Sequence, residues 1–560
     1  MTALPRMTSR MTSRMTLPPH RHPGTASADP PPWPRDLYLI GCGAAPDCGT
    51  PPSAQSMGVK AHNLLRMADL GLRVPPAFVL GTRYCSTATA QGRTVPPEVW
   101  RCGLQALERA CGLRLGDARR PLLLSVRSGA PVSMPGMMET LLNIGLCDAT
   151  AGGLLRQTGH PRLVWDAYRR LVATHGEVVA GLPAEVFECE LRALAGSRDE
   201  RDLDFAELRE LTRRFLAAYR REAGRPFPQD PLEQLASAIA AVFASWQADK
   251  AVDYRQQHRI GGDIGTAVAV QAMVFGNTGG ASGAGVGFTR DPSTGERALW
   301  VDFLFNAQGE DVVSGRRSAH GHAALAEVLP GAWAELQAAT AQLERAFGDM
   351  QDFEFTVQDA TLYLLQTRNG KRTPQAAARI ALDLLAEGLI DRDEALRRTA
   401  GLGADQLAVQ RIVADGGQAL TPAAHAASAA TGVAIGQIAF DGEQAAARHA
   451  AGADVILLRR DAETSDSAAL QSALGLLTQR GARTSHAAVV ARQLGKVCLV
   501  GCDALAIDDA TRTARLGGTT LREGDVITLD GHTGAIYVGA AHTVTELPQD
   551  LLDRLQALRG

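Results

Sequence analysis

What this sequence lacks narrows its function before any motif is read. It has no uninterrupted apolar stretch of the roughly 20 residues that a bilayer crossing takes, so no membrane partner is expected. Neither sign of charge dominates. Lys and Arg number 57 against 60 Asp and Glu, a net charge of -3, and nothing in that balance points to nucleic acid or an anionic surface. The nine cysteines have no regular spacing. Cys42 and Cys48 are six apart, Cys498 and Cys502 four apart, and neither pair has a second pair nearby to complete a zinc pattern. An odd, scattered set argues against a disulfide framework and for reduced thiols in a cytoplasmic enzyme. No solenoid repeat is present.

What is present fits a large α/β multidomain protein. Apolar residues make up 45% of 560, enough for sizeable cores in about three to five folding units. Residues 1–35 are rich in Pro, Thr and Arg and are expected to be disordered. Arg6, Arg10, Arg14 and Arg21 precede the first acid, Asp29, a composition shared with transit peptides. The repeated MTSR units and clustered prolines fit a plain extension equally, with Met7, Met11 or Met15 as alternative starts. Beyond Asp36 the pattern predicts a short strand, a helix over 60–71 and a buried strand over 121–127. A mostly helical stretch follows over about 152–258, then strands over 266–275 and 298–305 separated by the Gly-rich loop GNTGGASGAGVG. Residues 401–430, rich in Ala, Gly and Gln, predict a linker. A second α/β unit follows over about 431–540 and a short helix ends the chain.

Two segments carry candidate chemistry. In Asp352-Phe353-Glu354-Phe355-Thr356-Val357 the aromatic residues alternate with polar ones, so Asp352, Glu354 and Thr356 share one strand face. A turn at Gln358-Asp359 and the strand TLYLLQTR would place Gln366 and Arg368 on a common face beside them. Carboxylates, an amide oxygen and a guanidinium on one sheet surface suit a metal-bound polyphosphate, because magnesium takes hard oxygen ligands and Arg offers phosphate a rigid fork. An ordinary half-exposed hairpin would show the same alternation. The second segment is RTSHAAVVARQLG, residues 483–495. Thr484 or Ser485 can cap a helix that Gly495 ends, which puts His486 at or near the first turn. Unpaired N–H groups and the positive dipole end there would stabilise a phosphoryl anion and help keep the imidazole neutral and nucleophilic. A capping-region histidine without chemistry would sit in the same place.

Together with four longer strings, these segments resemble the pyruvate phosphate dikinase family. LLTQRGARTSHAAVVARQLGKVCLVGC resembles its phosphohistidine segment and PLLLSVRSGAPVSMPGMMETLLNIGL its nucleotide-domain signature. GTAVAVQAMVFGNTGGASGAGVGFTRDPSTGE and QDFEFTVQDATLYLLQTRNGKRTPQAAARIALDLLAEGLI match as well, and the likeness runs in order from about Leu37 to Val538. The resemblance implies an ATP-grasp-like nucleotide-binding domain over 36–375 with a helical insertion at about 152–258, then a helical linker over 376–430. A swivelling β/β/α phosphohistidine domain over 431–540 and a helix stub over 541–560 follow. It also implies ATP and inorganic phosphate as substrates and Mg2+ as cofactor. Lys60 and Arg127 would contact phosphates, Gly136 would lie in the loop closing over them, and Asp352 would hold the nucleotide. Glu354 and Gln366 would be the metal ligands, Arg368 would touch phosphate and His486 would carry the phosphoryl group. Thr484 matches a position that a regulatory kinase modifies in some members. His486 would take a pyrophosphoryl group with release of AMP, and phosphate would then remove the outer phosphoryl as pyrophosphate.

The departures set further expectations. The family carries a C-terminal barrel that binds pyruvate or phosphoenolpyruvate and needs about 250 residues. This sequence stops at Gly560, about where the connection should begin. Phosphoenolpyruvate formation is therefore expected only with a separate barrel protein. A barrel-less phosphocarrier or regulator, a pyruvate–water dikinase-like enzyme and an antibiotic phosphotransferase-like enzyme are the alternatives. The family's glycine pair before the early lysine is reduced to Gly58-Val59, and Ala482-Arg483 replaces Gly-Met before Thr-Ser-His. Arg483 would steady a phosphate or stand solvated.

Overall fold

The computed structural model describes residues 33–44, 46–85, 94–132, 134, 137–196, 198–313, 320–413, 421–461, 469–481, 483 and 486–560, with the backbone alone at 310, 313, 320, 321, 486, 487 and 493. Of the expected extension, residues 1–32 lie outside that set, as do Gly136 and Thr484.

Two five-stranded antiparallel sheets form the first half. One runs Leu37–Ile40, Ala77–Leu80, Ala267–Ala272, Leu124–Gly129, Thr140–Ile144. Helices from Asp148–Thr158 to Asp249–Gln257 are inserted between its last two strands in the sequence, where the helical stretch was expected. The other runs His320–Gly321, Trp300–Phe305, Gly283–Phe288, Gln351–Gln358, Thr361–Asn369. One core joins the two sheets. Phe303, Phe353, Phe355 and Val357 from the second sheet pack with Tyr38, Ile40 and Val79 from the first, and helices Val59–Asp69 and Pro330–Phe347 complete it.

The Gly-rich segment is only partly a loop. Its second half is the strand Gly283–Phe288, central in its sheet. A Cβ on Gly283, Gly285 or Gly287 would overlap the rings of Phe303, Phe355 or Phe353. The glycines make room for aromatic rings from neighbouring strands, which is one reason glycine is kept inside a strand.

The second half centres on an eight-stranded sheet whose middle strands, Val433–Ala439, Val455–Arg459, Gly475–Thr478 and Val497–Val500, are parallel. Its edge strands are Ala424–His425 and Ala427–Ala430. The linker expected over 376–430 therefore ends earlier, because residues 424–430 belong to this sheet. Their small side chains let a helix lie close against them. Ala429 and Ala430 are buried with Ala488 and Ala491 of the helix His486–Gln493. The expected C-terminal stub is also more than a stub. The helix Gln549–Arg559 buries Leu551, Leu555 and Leu558 against Ala378, Leu382, Ala395 and Leu407. Just before it, Thr543–Glu546 pairs with Val409–Ile412 in a two-stranded ladder.

Candidate functional site

The second sheet organises the site. The antiparallel register pairs Asp352 with Arg368 and Glu354 with Gln366, as the alternation predicts, with the turn at Asp359-Ala360, one residue later than expected. Both turn residues have positive φ, 50° and 62°, the backbone of a tight primed hairpin turn. A register shift follows Glu354, so the pairings of the four polar residues are set on the near side of a bulge.

The register extends these pairs across the sheet. Asp352 also faces Phe288, which faces Trp300; Glu354 also faces Val286, which faces Asp302. Directly paired residues share a face. One face therefore carries two adjacent rows, Trp300–Phe288–Asp352–Arg368 and Asp302–Val286–Glu354–Gln366, while the opposite face buries Phe303, Phe353 and Phe355.

Asp352 is buried and its Oδ2 accepts from Arg368 Nε at 2.8 Å. Burial pushes its pKa up, Arg368 opposes that, Glu354 adds to it, and the more distant Arg492 opposes it. Burial alone would lower the Arg368 pKa, but the Asp352 carboxylate raises it on balance. Glu354 Oε1 accepts from Gln366 Nε2 at 3.1 Å. Turning that amide would offer its oxygen alongside the carboxylate. Two hard oxygens suit a divalent cation that draws its other ligands from phosphate and water. Among the described residues no group of three or more His, Cys, Asp or Glu forms a self-sufficient metal cage.

Lys60 is the second residue of the helix Val59–Asp69, which is fixed to the hairpin by Asn63 Nδ2 donating to Thr367 O at 2.8 Å. Lys60 is exposed, with Glu354, Arg127 and Arg368 among its charged neighbours. Desolvation lowers its pKa first, Glu354 opposes this, and Arg127 and Arg368 add to the lowering. Lys60 thus feels the charges of Glu354, Arg127 and Arg368, although the four residues come from four elements. Arg127 lies on Leu124–Gly129, and Gly58 ties that strand to the lysine helix. Gly58 has φ 77°, and a Cβ there would overlap the carbonyl oxygen of Gly129. Val59 N donates to Ala130 O at 3.1 Å. The one glycine kept of the family's pair is the one the backbone needs.

The helix His486–Gln493 begins at the expected histidine. Its unit rests on the same face of the second sheet. Arg483 donates to Asp302 Oδ1 from Nη2 at 2.8 Å and from Nε at 3.1 Å, and its guanidinium lies 4.2 Å from the Trp300 ring centroid. Arg492, on the helix itself, is 2% exposed and lies 5.3 Å from the Phe288 centroid and 5.5 Å from that of Trp300. Arg483 is therefore neither solvated nor held ready for phosphate; it is paired to a buried carboxylate. Asp302, Trp300 and Arg492 were not singled out in the sequence. The only signal was Arg483 itself, a cation where the family has methionine.

Comparison with known proteins agrees with this layout. A family model described as "Pyruvate phosphate dikinase, AMP/ATP-binding domain" matches residues 91–323 and 324–388, and one described as "PEP-utilising enzyme, mobile domain" matches residues 452–534. Pyruvate, phosphate dikinase 2 of Zea mays is 43% identical over 489 residues, covering 86% of this chain and 55% of that protein. The pyruvate, phosphate dikinases of Clostridium symbiosum and Rhizobium meliloti (strain 1021) are each 42% identical, covering 87% and 90% of this chain and 56% and 58% of theirs. The chain thus spans about half the length of the curated relatives it matches. With over half of its residues matched by the first of these models, the chain belongs to the pyruvate phosphate dikinase family.

Proposed function

We propose that this protein catalyses the nucleotide half of a pyruvate phosphate dikinase reaction, in which ATP and inorganic phosphate phosphorylate His486 and yield AMP and pyrophosphate. The observation that carries this is the shared sheet face. The Asp352–Arg368 and Glu354–Gln366 pairs occupy one side of it, and the unit bearing the histidine helix is seated on the other. Neighbouring strands are about 4.8 Å apart, so Asp302 stands only about 10 Å from Glu354 across the sheet.

The imidazole of His486 forms a bond to the β-phosphorus of ATP. The bond from that phosphorus to the α,β-bridging oxygen breaks, and AMP departs. Phosphate then attacks the outer phosphorus and leaves as pyrophosphate, with the inner phosphoryl kept on His486. Lys60, Arg127 and Arg368 neutralise the triphosphate, which is the main service a protein gives phosphoryl transfer. Asp352 holds Arg368 in place. Glu354 and Gln366 would hold Mg2+, which supplies further charge neutralisation on the phosphate oxygens. Gly136, in the signature loop, would cover the phosphates.

In this reading the first half is an ATP-grasp-like domain and the second a swivelling carrier, and the protein works in the cytoplasm. The two-stranded ladder and the small connections on either side of it support a moving second half. Pyruvate, named in the relatives, is the proposed final acceptor, and Thr484 a candidate site for a regulatory kinase. ATP labelled at the β-phosphate, with Mg2+ and phosphate, is expected to leave acid-labile, base-stable label on the protein. His486→Ala is expected to abolish it. Label retained in that variant would sink the assignment, and AMP formation with release of inorganic phosphate in place of pyrophosphate, without added phosphate, would favour a water-using dikinase. Phosphoenolpyruvate formation is tested by adding pyruvate with and without a pyruvate-binding barrel protein.

A further inference from the structure

We propose that Arg483 is a positioning residue: paired to Asp302 and stacked on Trp300, it sets the histidine helix against the phosphate end of the nucleotide site. The inference rests on the function proposed above and adds residues to it.

Three observations carry it. Asp302 is 1% exposed and lies in the same cross-strand row as Glu354 and Gln366. Whatever grips Asp302 is registered to the hairpin through continuous backbone pairing, which fixes position far better than a contact on a loop. Second, Arg483 grips it in more than one way. Two guanidinium nitrogens reach Oδ1, Nη2 also reaches Val301 O at 3.4 Å, and the plane rests on Trp300. A planar fork that both stacks and hydrogen-bonds fixes orientation as well as distance, which a lysine or methionine would not do. Third, the grip is braced from behind. Arg492 Nη2 donates to the carbonyl oxygens of Ala429 at 2.5 Å and of Arg483 at 3.3 Å, and its Nε to Ala429 at 3.0 Å. The Arg483 backbone is thereby joined to the edge strand and to the helix that starts at His486. Arg483 precedes that histidine by three residues, so any shift of its anchor moves the helix start.

The clamp must also let go, because the carrier has to leave. A half-buried ion pair between two units suits this. Once they separate, both charges regain water, and the net strength of such a pair is modest.

The test compares the wild-type chain with Arg483→Ala, Asp302→Ala, Arg483→Lys and the exchange Arg483→Asp/Asp302→Arg. Single-turnover transfer of β-labelled phosphoryl to His486 is expected to slow about 10²-fold in the alanine variants, the scale of a misplacement of about 1 Å. ATP affinity, measured in the His486→Ala background, is expected to be unchanged, and so is the thermal midpoint. Arg483→Lys is expected to fall between, and the exchange to recover part of the rate. Hydrogen–deuterium exchange of the full chain reads docking independently of chemistry, and Trp300–Phe305 is expected to lose protection in the alanine variants. Wild-type transfer rates in Arg483→Ala, or unchanged protection of that strand, would overturn the proposal. If the wild-type chain took no label while the strand still lost protection, the functional reading would fall and the clamp would stand.

Discussion

At the scale of single residues, the site depends on positions where the backbone leaves no choice. Gly58 and Gly71 have the same φ, 77°, and flank one helix. At Gly71 a Cβ would meet nothing within 4 Å, whereas at Gly58 it would overlap the Gly129 carbonyl. Gly71→Ala should therefore cost only the left-handed backbone penalty, about 1–2 kcal/mol. Gly58→Ala should cost more and should also weaken ATP binding, because the strand end carrying Arg127 and the helix carrying Lys60 must part. Denaturant midpoints and nucleotide titration check both; equal destabilisation by the two variants would contradict the packing argument. Glu354→Gln tests the metal side. Replacing the carboxylate of the pair by a neutral amide should raise the Mg2+ concentration needed for half-maximal labelling of His486 at least tenfold, on the scale of about 1.4 kcal/mol. An unchanged Mg2+ requirement would place the metal elsewhere.

At the scale of elements, legibility followed range. The carboxylate hairpin was readable because a period of two fixes which residues share a face and the turn fixes their pairing; both are local. The start of the histidine helix was readable for the same reason. The strand Gly283–Phe288 was not, because the rings that need its glycines lie on the strands Trp300–Phe305 and Gln351–Gln358. Residues 424–430 read as linker because their alanines show no pattern until the helix His486–Gln493 lies on them. The Arg483–Asp302 pair spans 181 positions, and no local rule reaches that far.

The inserted helices carry their own prediction. His175, fully buried between helices, has Tyr219 Oη at 3.2 Å from Nδ1 and Ser237 Oγ at 3.2 Å from Nε2. Burial, with a smaller push from Arg225, lowers its pKa from 6.5 to about 4. The folded form thus favours neutral imidazole. Its contribution is fully present above pH 6.5 and is lost as pH falls toward 4, by about 3 kcal/mol in total. Hydrogen exchange in Pro161–Ala180 and Phe205–Ala223 should accelerate over that window, and His175→Asn should flatten the response.

At the scale of the whole molecule, the movement proposed above for the second half needs a place to bend. Among the described residues, the connection on one side is Ala408, between the helix Ala404–Leu407 and the strand Val409–Ile412; on the other it is Leu547-Pro548, between Thr543–Glu546 and Gln549–Arg559. The two strands form a ladder, Val409 facing Glu546 and Ile412 facing Thr543, and Arg411 Nε donates to Glu546 Oε2 at 3.0 Å. The ladder is attached to the carrier half by His532, whose Nε2 lies 3.1 Å from Gln410 O, and Val413 N donating to His542 O at 3.0 Å extends the pairing by one residue. Its far ends run into helices packed in a common core. A bend at Ala408 and Leu547-Pro548 would carry ladder and carrier together without breaking a strand pair. Two engineered cross-links separate this from a tether that unzips, a disulfide within the ladder and a thiol-reactive bridge between the halves. Gln410→Cys with Thr545→Cys, at directly facing positions, should leave His486 labelling and transfer to an external acceptor intact, because the cross-linked strands move as one body. Asp302→Cys joined to Arg483→Cys by a reducible bifunctional thiol reagent long enough to replace the arginine–aspartate span, which holds the carrier on the second sheet, should block onward transfer until reduced. Loss of onward transfer in the ladder cross-link would show that the strands must separate, and would move the hinge into the ladder itself.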